Sequence, residues 1–451
     1  MAIVMKVNKM IKVRFAPSPT GLIHLGNARP ALMNWLFAKA NDGEFILRFD
    51  DTDKERSKEE YAIAIETDLK WFGINPDKKF WQSKRFDLYD AARDELIGLG
   101  KLYPCYESAD ELDKKRVRAR AMGKPPIYDR AALDLSEDEI KKYQDEGRKP
   151  HWRFKLDKKP VLFDDLIRGE QKVNTASMSD PVLIRADGSY LYTLPSVVDD
   201  LDMGITHIIR GEDHVSNSGV QVEIFEALGG KAPVFAHHNL LSDAQGKGLS
   251  KRLGSLSIKA MRKAGYEPMA VAIMATITGT SLSVEPVASL DELAKKFDLS
   301  IISRGPARYD EAELDTLNAR ILHDMSFEEA EPRLKKLDIK GGQDMWLALR
   351  ENLYKFSDIV ELENLISGNV KPVISDEDRE FITLAAENLP SGEWDENTWG
   401  AWTKHLKEVS GRKGKSLFMP LRLALTGKKD GPELKSLLVL IGRKECLARL
   451  S

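Results

Sequence analysis

One stretch near the start of the chain combines residue types that handle phosphate. VRFAPSPTGLIHLGN, residues 13–27, runs from an apolar segment through Gly21 to His24 and Gly26. Glycines let a flat ring or a phosphate approach the backbone closely, and the positive end of a helix dipole favours an anion beside such a histidine. Taken alone the pattern is weak, and locally it favours an ordinary loop histidine.

A second stretch, QGKGLSKRLGS at residues 245–255, carries Lys247, Lys251 and Arg252 between glycines. A loop that presents ammonium groups can stabilise the charge that develops on a triphosphate in its transition state. A basic run of this kind is by itself more often a solvated surface loop. At opposite ends of a split α/β sheet, however, the two stretches together indicate a nucleotide site.

The elements around the first stretch alternate between strand and helix. Residues 12–16 and 44–49 predict strands, and residues 28–40 predict a helix with Asn27 as its N-cap. This opening favours a parallel sheet that binds ligands at the carboxyl ends of its strands.

A further helix is predicted between a capping box of Ser57 and Glu60 and a C-cap at Gly73. Residues 190–200 and 205–214 are predicted to be strands that end in polar or charged residues. Between these halves, from about residue 100 to 185, the pattern loosens and indicates an insertion. After residue 255 the chain is mainly helical.

The composition is that of a globular protein with several domains. The 451 residues are 42% hydrophobic, and the net charge of -3 argues against a globally basic coat for nucleic acid. The basic run KKRVRAR at 114–120 could contact phosphate, but taken alone it favours a solvated helix face. Two cysteines, without a secretory leader or a long apolar run, lead us to expect a cytoplasmic protein with no membrane segment.

Both stretches resemble the signatures of one enzyme family. HLGN is similar to the HIGH motif of the class I aminoacyl-tRNA synthetases, and GLSKR is similar to their KMSKS motif. Further segments resemble the bacterial glutamyl-tRNA synthetases, and the likeness covers essentially the whole chain. These segments are APSPTG (16–21), RFDDTD (48–53), LYTLPSVVDD (191–200), IIRGEDH (208–214) and PLRLALTG (420–427).

The resemblance implies a fold of class α/β. A Rossmann-like catalytic domain would contain an inserted α/β connective domain and precede a helical stem-contact domain and an all-α anticodon-binding domain. The expected segments are 1–105 and 189–255 for the two catalytic halves, 106–188 for the insertion that meets the acceptor arm, 256–325 for the stem-contact domain and 326–451 for the anticodon-binding domain.

The resemblance also implies a two-step reaction. L-glutamate and ATP would form glutamyl-adenylate and pyrophosphate, and the glutamyl group would pass to the terminal adenosine of tRNA(Glu). Mg²⁺ is expected with the ATP. Charging of tRNA(Gln) remains an open alternative, and a monomer is expected.

Residues of the two signatures would hold ATP. His24 and Lys251 are the expected catalytic residues, with His24 as a hydrogen-bond donor to phosphate and Lys251 following the leaving pyrophosphate. The expected ATP-binding set is His24, Gly26, Asn27, Leu249, Ser250, Lys251 and Arg252.

Glutamate carries two carboxylates and an ammonium, so its pocket needs cations and an acid. The resemblance implies that Arg14 and Arg210 face the carboxylates, with their assignment open, and that Asp50 takes the ammonium. Taken singly, such arginines are more often exposed charges at strand ends, Tyr192 a core residue and Asp50 a turn cap. The full implied set is Arg14, Ala16, Ser18, Asp50, Tyr192 and Arg210.

Three positions depart from the family pattern. Gly248 stands where KMSKS has its first lysine, although Lys247 precedes it, and Asp50 stands where relatives often have glutamate. Relatives often carry a zinc site of several cysteines in the insertion, whereas here Cys105 is alone. Tetrahedral zinc needs four ligands, so we expect no structural zinc and no protein metal site.

Two other functions were weighed against a tRNA-charging ligase. A shorter relative attaches glutamate to a modified tRNA base, but it lacks the helical C-terminal domain that is expected here. A non-catalytic RNA-binding paralogue would explain the altered second signature, but not the retention of the pocket. The basic segment SGRKGK at 410–415 is either a contact to tRNA phosphate or a solvated loop.

Overall fold

The computed structural model describes residues 10–243, 246, 257–367 and 370–451. The chain divides into a first unit, Met1–Met261 with Val271–Asp310, and a second unit, Arg262–Ala270 with Glu311–Ser451. Among the described helices, none combines the length and apolar character needed to cross a bilayer.

Strands lie in the first unit among helices. The strands are β1 (Lys12–Phe15), β2 (Glu44–Phe49), β3 (Lys78–Trp81), β4 (Leu102–Cys105), β5 (His151–Phe154), β6 (Pro160–Asp165), β7 (Gly169–Asn174), β8 (Val182–Ile184), β9 (His207–Gly211), β10 (Val234–His238), β11 (Leu241–Ser242) and β12 (Ala307–Arg308). The helices up to residue 296 are α1 (Leu25–Ala40), α2 (Glu59–Phe72), α3 (Phe86–Gly98), α4 (Ala109–Ala121), α5 (Glu137–Asp145), α6 (Thr193–Asp202), α7 (Val215–Ala227), α8 (Ile258–Lys263), α9 (Pro268–Ile277) and α10 (Leu290–Lys296).

Parallel strands form the centre of the first unit. β1, β2 and β3 pair in parallel, as do β9 and β10. The two groups meet where the Thr206 N–H donates to the Lys12 carbonyl at 2.9 Å. The resulting order is β3-β2-β1-β9-β10. The strand numbers fall towards β1 and rise again from β9, and this change in strand order is typical of doubly wound sheets.

The segment expected as an insertion contributes to two sheets. β4, β5 and β8 form an antiparallel sheet, with β5 in the middle. β6 pairs in parallel with β10 and antiparallel with β7, so residues 160–174 extend the sheet that β9 and β10 form. A capping box of Ser108 and Glu111 begins α4 between these strands.

Three local predictions were wrong. Residues 190–200 were predicted to be a strand, but most of them lie in helix α6 (Thr193–Asp202), while the strand expected in 205–214 is present as β9. Helix α1 begins at Leu25 with His24, not Asn27, as its N-cap. Lys58 precedes α2, and the predicted box of Ser57 and Glu60 does not cap it.

The second unit is helical. Its core contains Trp346 and Trp402, both at most 2% exposed, among leucines of the surrounding helices. The helices are α11 (Glu311–Asp324), α12 (Phe327–Lys336), α13 (Gln343–Leu349), α14 (Ile359–Glu363), α15 (Arg379–Glu387), α16 (Thr398–Ser410), α17 (Lys415–Thr426), α18 (Leu434–Ile441) and α19 (Arg443–Arg449).

Candidate active site

A cavity of about 800 Å³ opens beside the carboxyl ends of β1 and β9. This is the position where the strand order reverses, and doubly wound sheets bind their ligands there. The predicted residues that line it are Arg14, Ala16, Ser18, His24, Gly26, Asn27, Tyr192 and Arg210. Asp50 is not among its lining residues. Leu249, Ser250, Lys251 and Arg252, together with Lys247 and Gly248, lie outside the described residues.

His24 joins the cavity to helix α1. Its Nδ1 accepts a hydrogen bond from the Gly26 backbone N–H at 3.1 Å, so its side chain caps the helix. Burial lowers the pKa of His24, which favours the neutral ring. With Nδ1 as acceptor, the proton of the neutral ring is on Nε2. The cap therefore leaves Nε2–H as the donor that His24 offers to a ligand.

Gly26 is required by the position of that ring. A Cβ at residue 26 would lie 3.0 Å from His24 Cε1 and 3.1 Å from His24 Nδ1. Both distances are shorter than ordinary carbon contacts, so a side chain would displace the imidazole. Glycine here maintains both the cap and the direction of the Nε2 donor.

The Asp200 carboxylate holds the Arg14 guanidinium in position. Its Nε donates to Asp200 Oδ1 at 3.1 Å, and Arg48 Nη1 donates to the same oxygen at 2.8 Å. Arg48 also binds both oxygens of Asp50, at 2.7 and 3.2 Å. The Asp50 carboxylate is therefore already paired, and its expected contact with an ammonium stays a prediction.

Arg210 approaches the cavity from β9. Its Nη1 donates to the Tyr192 hydroxyl at 3.1 Å. Arg14 and Arg210 are 4% and 6% exposed, and Tyr192 is 38% exposed. The two arginines are thus not solvated charges at strand ends, and Tyr192 is not a core residue. Buried guanidiniums beside a cavity are suited to binding carboxylates.

Arg29 is a buried residue that the sequence analysis missed. It lines the cavity from α1 and donates to the carbonyls of Ala275 and Thr278 at 2.6 and 3.0 Å, and to the side chain of Asn239. A charged residue among the apolar positions of a predicted helix was a usable signal. Burial lowers the pKa of Arg29 to about 9.

One group of possible metal ligands occurs in the described part of the chain. Atoms of Cys105, Glu107 and His151 lie within 4.8 Å of one another. Burial raises the pKa of the Cys105 thiol to about 11. The Tyr128 hydroxyl donates to Glu107 Oε1 at 2.8 Å. These three donors, found among the described residues, are one fewer than a closed tetrahedral site needs, and the expected absence of structural zinc stays a prediction.

Comparisons with known proteins identify the family of this chain. The family described as tRNA synthetases class I (E and Q), catalytic domain, matches residues 10–316, and the family described as anticodon binding domain matches residues 325–451. A glutamate–tRNA ligase 2 of Beijerinckia indica is 59% identical over 97% of this chain and 98% of its own length. A glutamate–tRNA ligase 2 of Methylorubrum populi is 56% identical with the same coverage.

Solved structures of glutamate–tRNA ligases are similar to this chain along nearly its whole length. A glutamate tRNA ligase from Elizabethkingia meningosepticum in complex with its amino acid is 30% identical, with a TM-score of 0.86 and coverage of 98% of both chains. A glutamate–tRNA synthetase from Elizabethkingia anophelis is 30% identical with a TM-score of 0.85. The chain therefore belongs to the glutamate–tRNA ligases of the class I aminoacyl-tRNA synthetase family.

Proposed function

We propose that this chain activates L-glutamate with ATP and transfers the glutamyl group to the 3′-terminal adenosine of tRNA(Glu). The α-carboxylate attacks the α-phosphorus of ATP, and the bond to the leaving pyrophosphate breaks. The adenylate then acylates a ribose hydroxyl and releases AMP. The observation that carries this proposal is one cavity with two buried arginines and a helix-capping histidine on its wall.

The amino-acid part of the cavity consists mostly of hydrogen-bond donors. Arg14 and Arg210 provide the positive charge for the two carboxylates of glutamate, and the Tyr192 hydroxyl donates to one of them. Ala16 and Ser18 form the adjoining wall. Positioned donors of this kind align an anionic nucleophile without a covalent enzyme intermediate.

The ammonium of glutamate is assigned to Asp50, although its carboxylate is paired with Arg48. One route is a water between them, which compensates for the short aspartate side chain. Asp213, on the cavity wall, is a carboxylate open to the same space.

His24, Gly26 and Asn27 on the cavity wall are assigned to ATP, together with Leu249, Ser250, Lys251 and Arg252, which lie outside the described residues. His24 donates from Nε2 to a phosphate, Gly26 makes room for the adenine, and Lys251 follows the pyrophosphate. Mg²⁺ enters bound to ATP, because this ion keeps substrate phosphates and waters as ligands. Lys247 is the candidate for the charge absent at Gly248.

Binding of tRNA is assigned by segment. The two catalytic halves are assigned to residues 1–105 and 189–255. Residues 106–188, between them, would contact the acceptor arm of the tRNA. Residues 256–325 would contact its stem and residues 326–451 its anticodon arm. The family match of residues 325–451 supports the last assignment. We retain tRNA(Gln) as a second candidate substrate, a monomer as the assembly and the cytoplasm as the location.

The decisive experiment is aminoacylation of purified tRNA(Glu) and tRNA(Gln), with glutamate-dependent exchange of pyrophosphate into ATP measured with and without each tRNA. We expect charging of tRNA(Glu), and the tRNA(Gln) result defines the breadth of the reaction. Absence of both exchange and charging would contradict the proposed function.

A further inference from the structure

Arg210 is supported from behind by buried polar side chains of three other elements. Its Nε donates to His237 Nε2 on β10 at 3.3 Å, and its Nη2 donates to Ser218 Oγ and Gln221 Oε1 on α7 at 2.6 and 2.7 Å. His237 Nδ1 lies 2.5 Å from Asp165 Oδ2, at the end of β6. These four supporting side chains are at most 4% exposed and are not part of the cavity wall.

The partners of His237 fix its protonation. A guanidinium has donors and no acceptor, so His237 Nε2 must accept from Arg210. The ring proton is then on Nδ1, where it donates to Asp165. A proton on Nε2 would instead point an N–H at the guanidinium. The ring is thus a neutral imidazole of defined tautomer.

Asp165 is held by the backbone. Its Oδ1 accepts from the N–H groups of Ile167 and Arg168 at 2.9 and 2.8 Å, and its Oδ2 accepts from the His237 N–H at 3.1 Å. Burial raises the pKa of this carboxyl, but the bonds from His237 and the backbone lower it further, so the net shift is downward. An ionised, fixed carboxylate in turn fixes the ring.

These contacts use four of the five N–H bonds of Arg210 and leave one free. A guanidinium has five N–H bonds. Nε uses its one, Nη2 uses both of its bonds, and Nη1 uses one on Tyr192. One Nη1–H remains, and the Tyr192 hydroxyl, which accepts from Arg210, keeps its own hydrogen for donation. Two donors on one side of the guanidinium are therefore available for one carboxylate.

We propose that His237, oriented by Asp165, is a positioning residue for glutamate recognition that turns Arg210 so that Nη1–H and the Tyr192 hydroxyl point at a substrate carboxylate. This inference rests on the proposed roles of Arg210 and Tyr192. It adds His237, which is 27 residues from Arg210 in the chain, and Asp165, which is 72 residues from His237. Neither residue would touch the substrate.

Ser218 Oγ also lies 2.9 Å from His237 Nε2, so Ser218, His237 and Asp165 have the connectivity of a nucleophilic triad, but their surroundings exclude that role. Ser218 is fully buried, and its Oγ accepts from the Arg210 guanidinium at 2.6 Å. A substrate carbonyl would have to displace Arg210 to reach this oxygen. The serine therefore acts as a support for the arginine.

Two substitutions at His237 separate positioning from bulk. In His237→Gln the amide oxygen takes the place of Nε2 and can accept from Arg210 Nε. In His237→Asn the shorter amide takes the place of Nδ1, so the bond to Arg210 is lost. His207→Gln on the neighbouring strand β9 is the matched control, because this imidazole does not line the cavity.

The measurement is pyrophosphate exchange with separate titrations of glutamate and ATP, with tRNA(Glu) present throughout. For His237→Asn we expect the glutamate KM to rise about 10- to 100-fold, the loss that one hydrogen bond to a charged group produces, with ATP KM nearly unchanged. His237→Gln should recover most of the glutamate KM. His207→Gln should resemble the wild type.

The outcomes separate this inference from the proposed function. A wild-type chain that neither exchanges nor charges contradicts the proposed function, whereas an active chain whose Arg210→Ala variant keeps its glutamate KM contradicts the role of Arg210. If Arg210→Ala raises the glutamate KM but His237→Asn does not, the positioning inference is wrong. Equal rises in both KM values for His237→Asn and His237→Gln would also overturn it, because they would indicate general damage.

A variant that fails to fold does not end the test. Ser218→Ala removes one acceptor from Arg210 Nη2 and the 2.9 Å contact of Ser218 Oγ with His237 Nε2, and it leaves Gln221 in place. If the network positions Arg210, this variant raises the glutamate KM by about three- to tenfold and leaves ATP KM unchanged. An unchanged glutamate KM in Ser218→Ala would overturn the proposal.

Discussion

The Arg14 guanidinium and the Asp200 carboxylate form a buried ion pair, with Nε 3.1 Å from Oδ1. Arg14 is on β1, and Asp200 is near the end of α6. Arg48 binds the same carboxylate from β2 at 2.8 Å. One acid thus sets the positions of two arginines, of which only Arg14 lines the cavity.

Replacing Asp200 with asparagine should destabilise the protein in a pH-dependent way. Removing one partner of a buried ion pair costs about 3–5 kcal/mol. Burial raises the pKa of Asp200, but Arg14 and Arg48 lower it more, so its folded pKa lies below the usual value. A lowered folded pKa gives stability that is complete above the unfolded pKa of about 3.9 and lost as pH falls through the folded value.

The check is urea unfolding of the wild type and Asp200→Asn between neutral and acid pH. We expect a constant difference in unfolding free energy near neutrality that shrinks below about pH 4. The control is Asp202→Asn on the same helix. Asp202 pairs with Arg85, but its side chain is 52% exposed, so this pair should contribute less than about 1 kcal/mol. A difference that stays constant into acid would contradict the assignment.

His24 should show separable roles in capping and in catalysis. Asparagine is a good N-cap and can accept from the Gly26 N–H, but it cannot supply the Nε2 donor. His24→Asn should therefore slow pyrophosphate exchange by about 10²- to 10³-fold with little change in unfolding free energy. His24→Ala should lose the same activity and about 1 kcal/mol of stability as well.

The same variants test where His24 acts. Binding of tRNA, followed by fluorescence titration, should change much less than exchange in both. Equal losses of exchange and of tRNA binding would mean that the donor is not directed at ATP. An active His24→Asn would mean that the cap is the only role of the histidine.

The sequence predicted those parts of the fold that depend on local signals. β1, β2 and the C-cap Gly73, with φ of 86°, follow from periodicity and glycine. Residues 190–200 were wrongly assigned to a strand, although Leu194, Val197, Val198 and Leu201 follow the helical spacing i, i+3, i+4 and i+7, so a local signal for α6 was present in the sequence. The capping box failed at Ser57 because α2 begins at Glu59.

The candidate site was predictable only where motifs exist. Arg14, His24 and Arg210 lie in recognisable stretches, and the structure brings them to one cavity. Asp165 and His237 lie 72 residues apart and meet only because β6 pairs with β10. No local pattern marks such a contact, since it depends on which strands become neighbours.

Metal analysis should test the prediction of no structural zinc. We expect far less than one zinc per purified chain and no change of the thermal unfolding midpoint with a chelator, because the group at Cys105 lacks a fourth ligand in the described residues. One zinc per chain that disappears in Cys105→Ser would prove the prediction wrong and identify Cys105 as one of its ligands.

The basic segment at 410–415 should contribute to tRNA affinity through two lysines. Lys413 and Lys415 are exposed and, among the described residues, have no ion pair, whereas Arg412 Nη1 pairs with Asp378 at 2.5 Å and stacks on Phe381. Lys413→Gln with Lys415→Gln should reduce the slope of log affinity against log salt by about 1 to 2, because each phosphate contact releases about one counterion.

Arg412→Gln is the matched control, and it should lower the unfolding free energy of the chain while leaving the salt slope nearly unchanged. The measurement is tRNA(Glu) binding across a salt series. An unchanged slope in the double lysine variant would mean that the segment is a solvated loop.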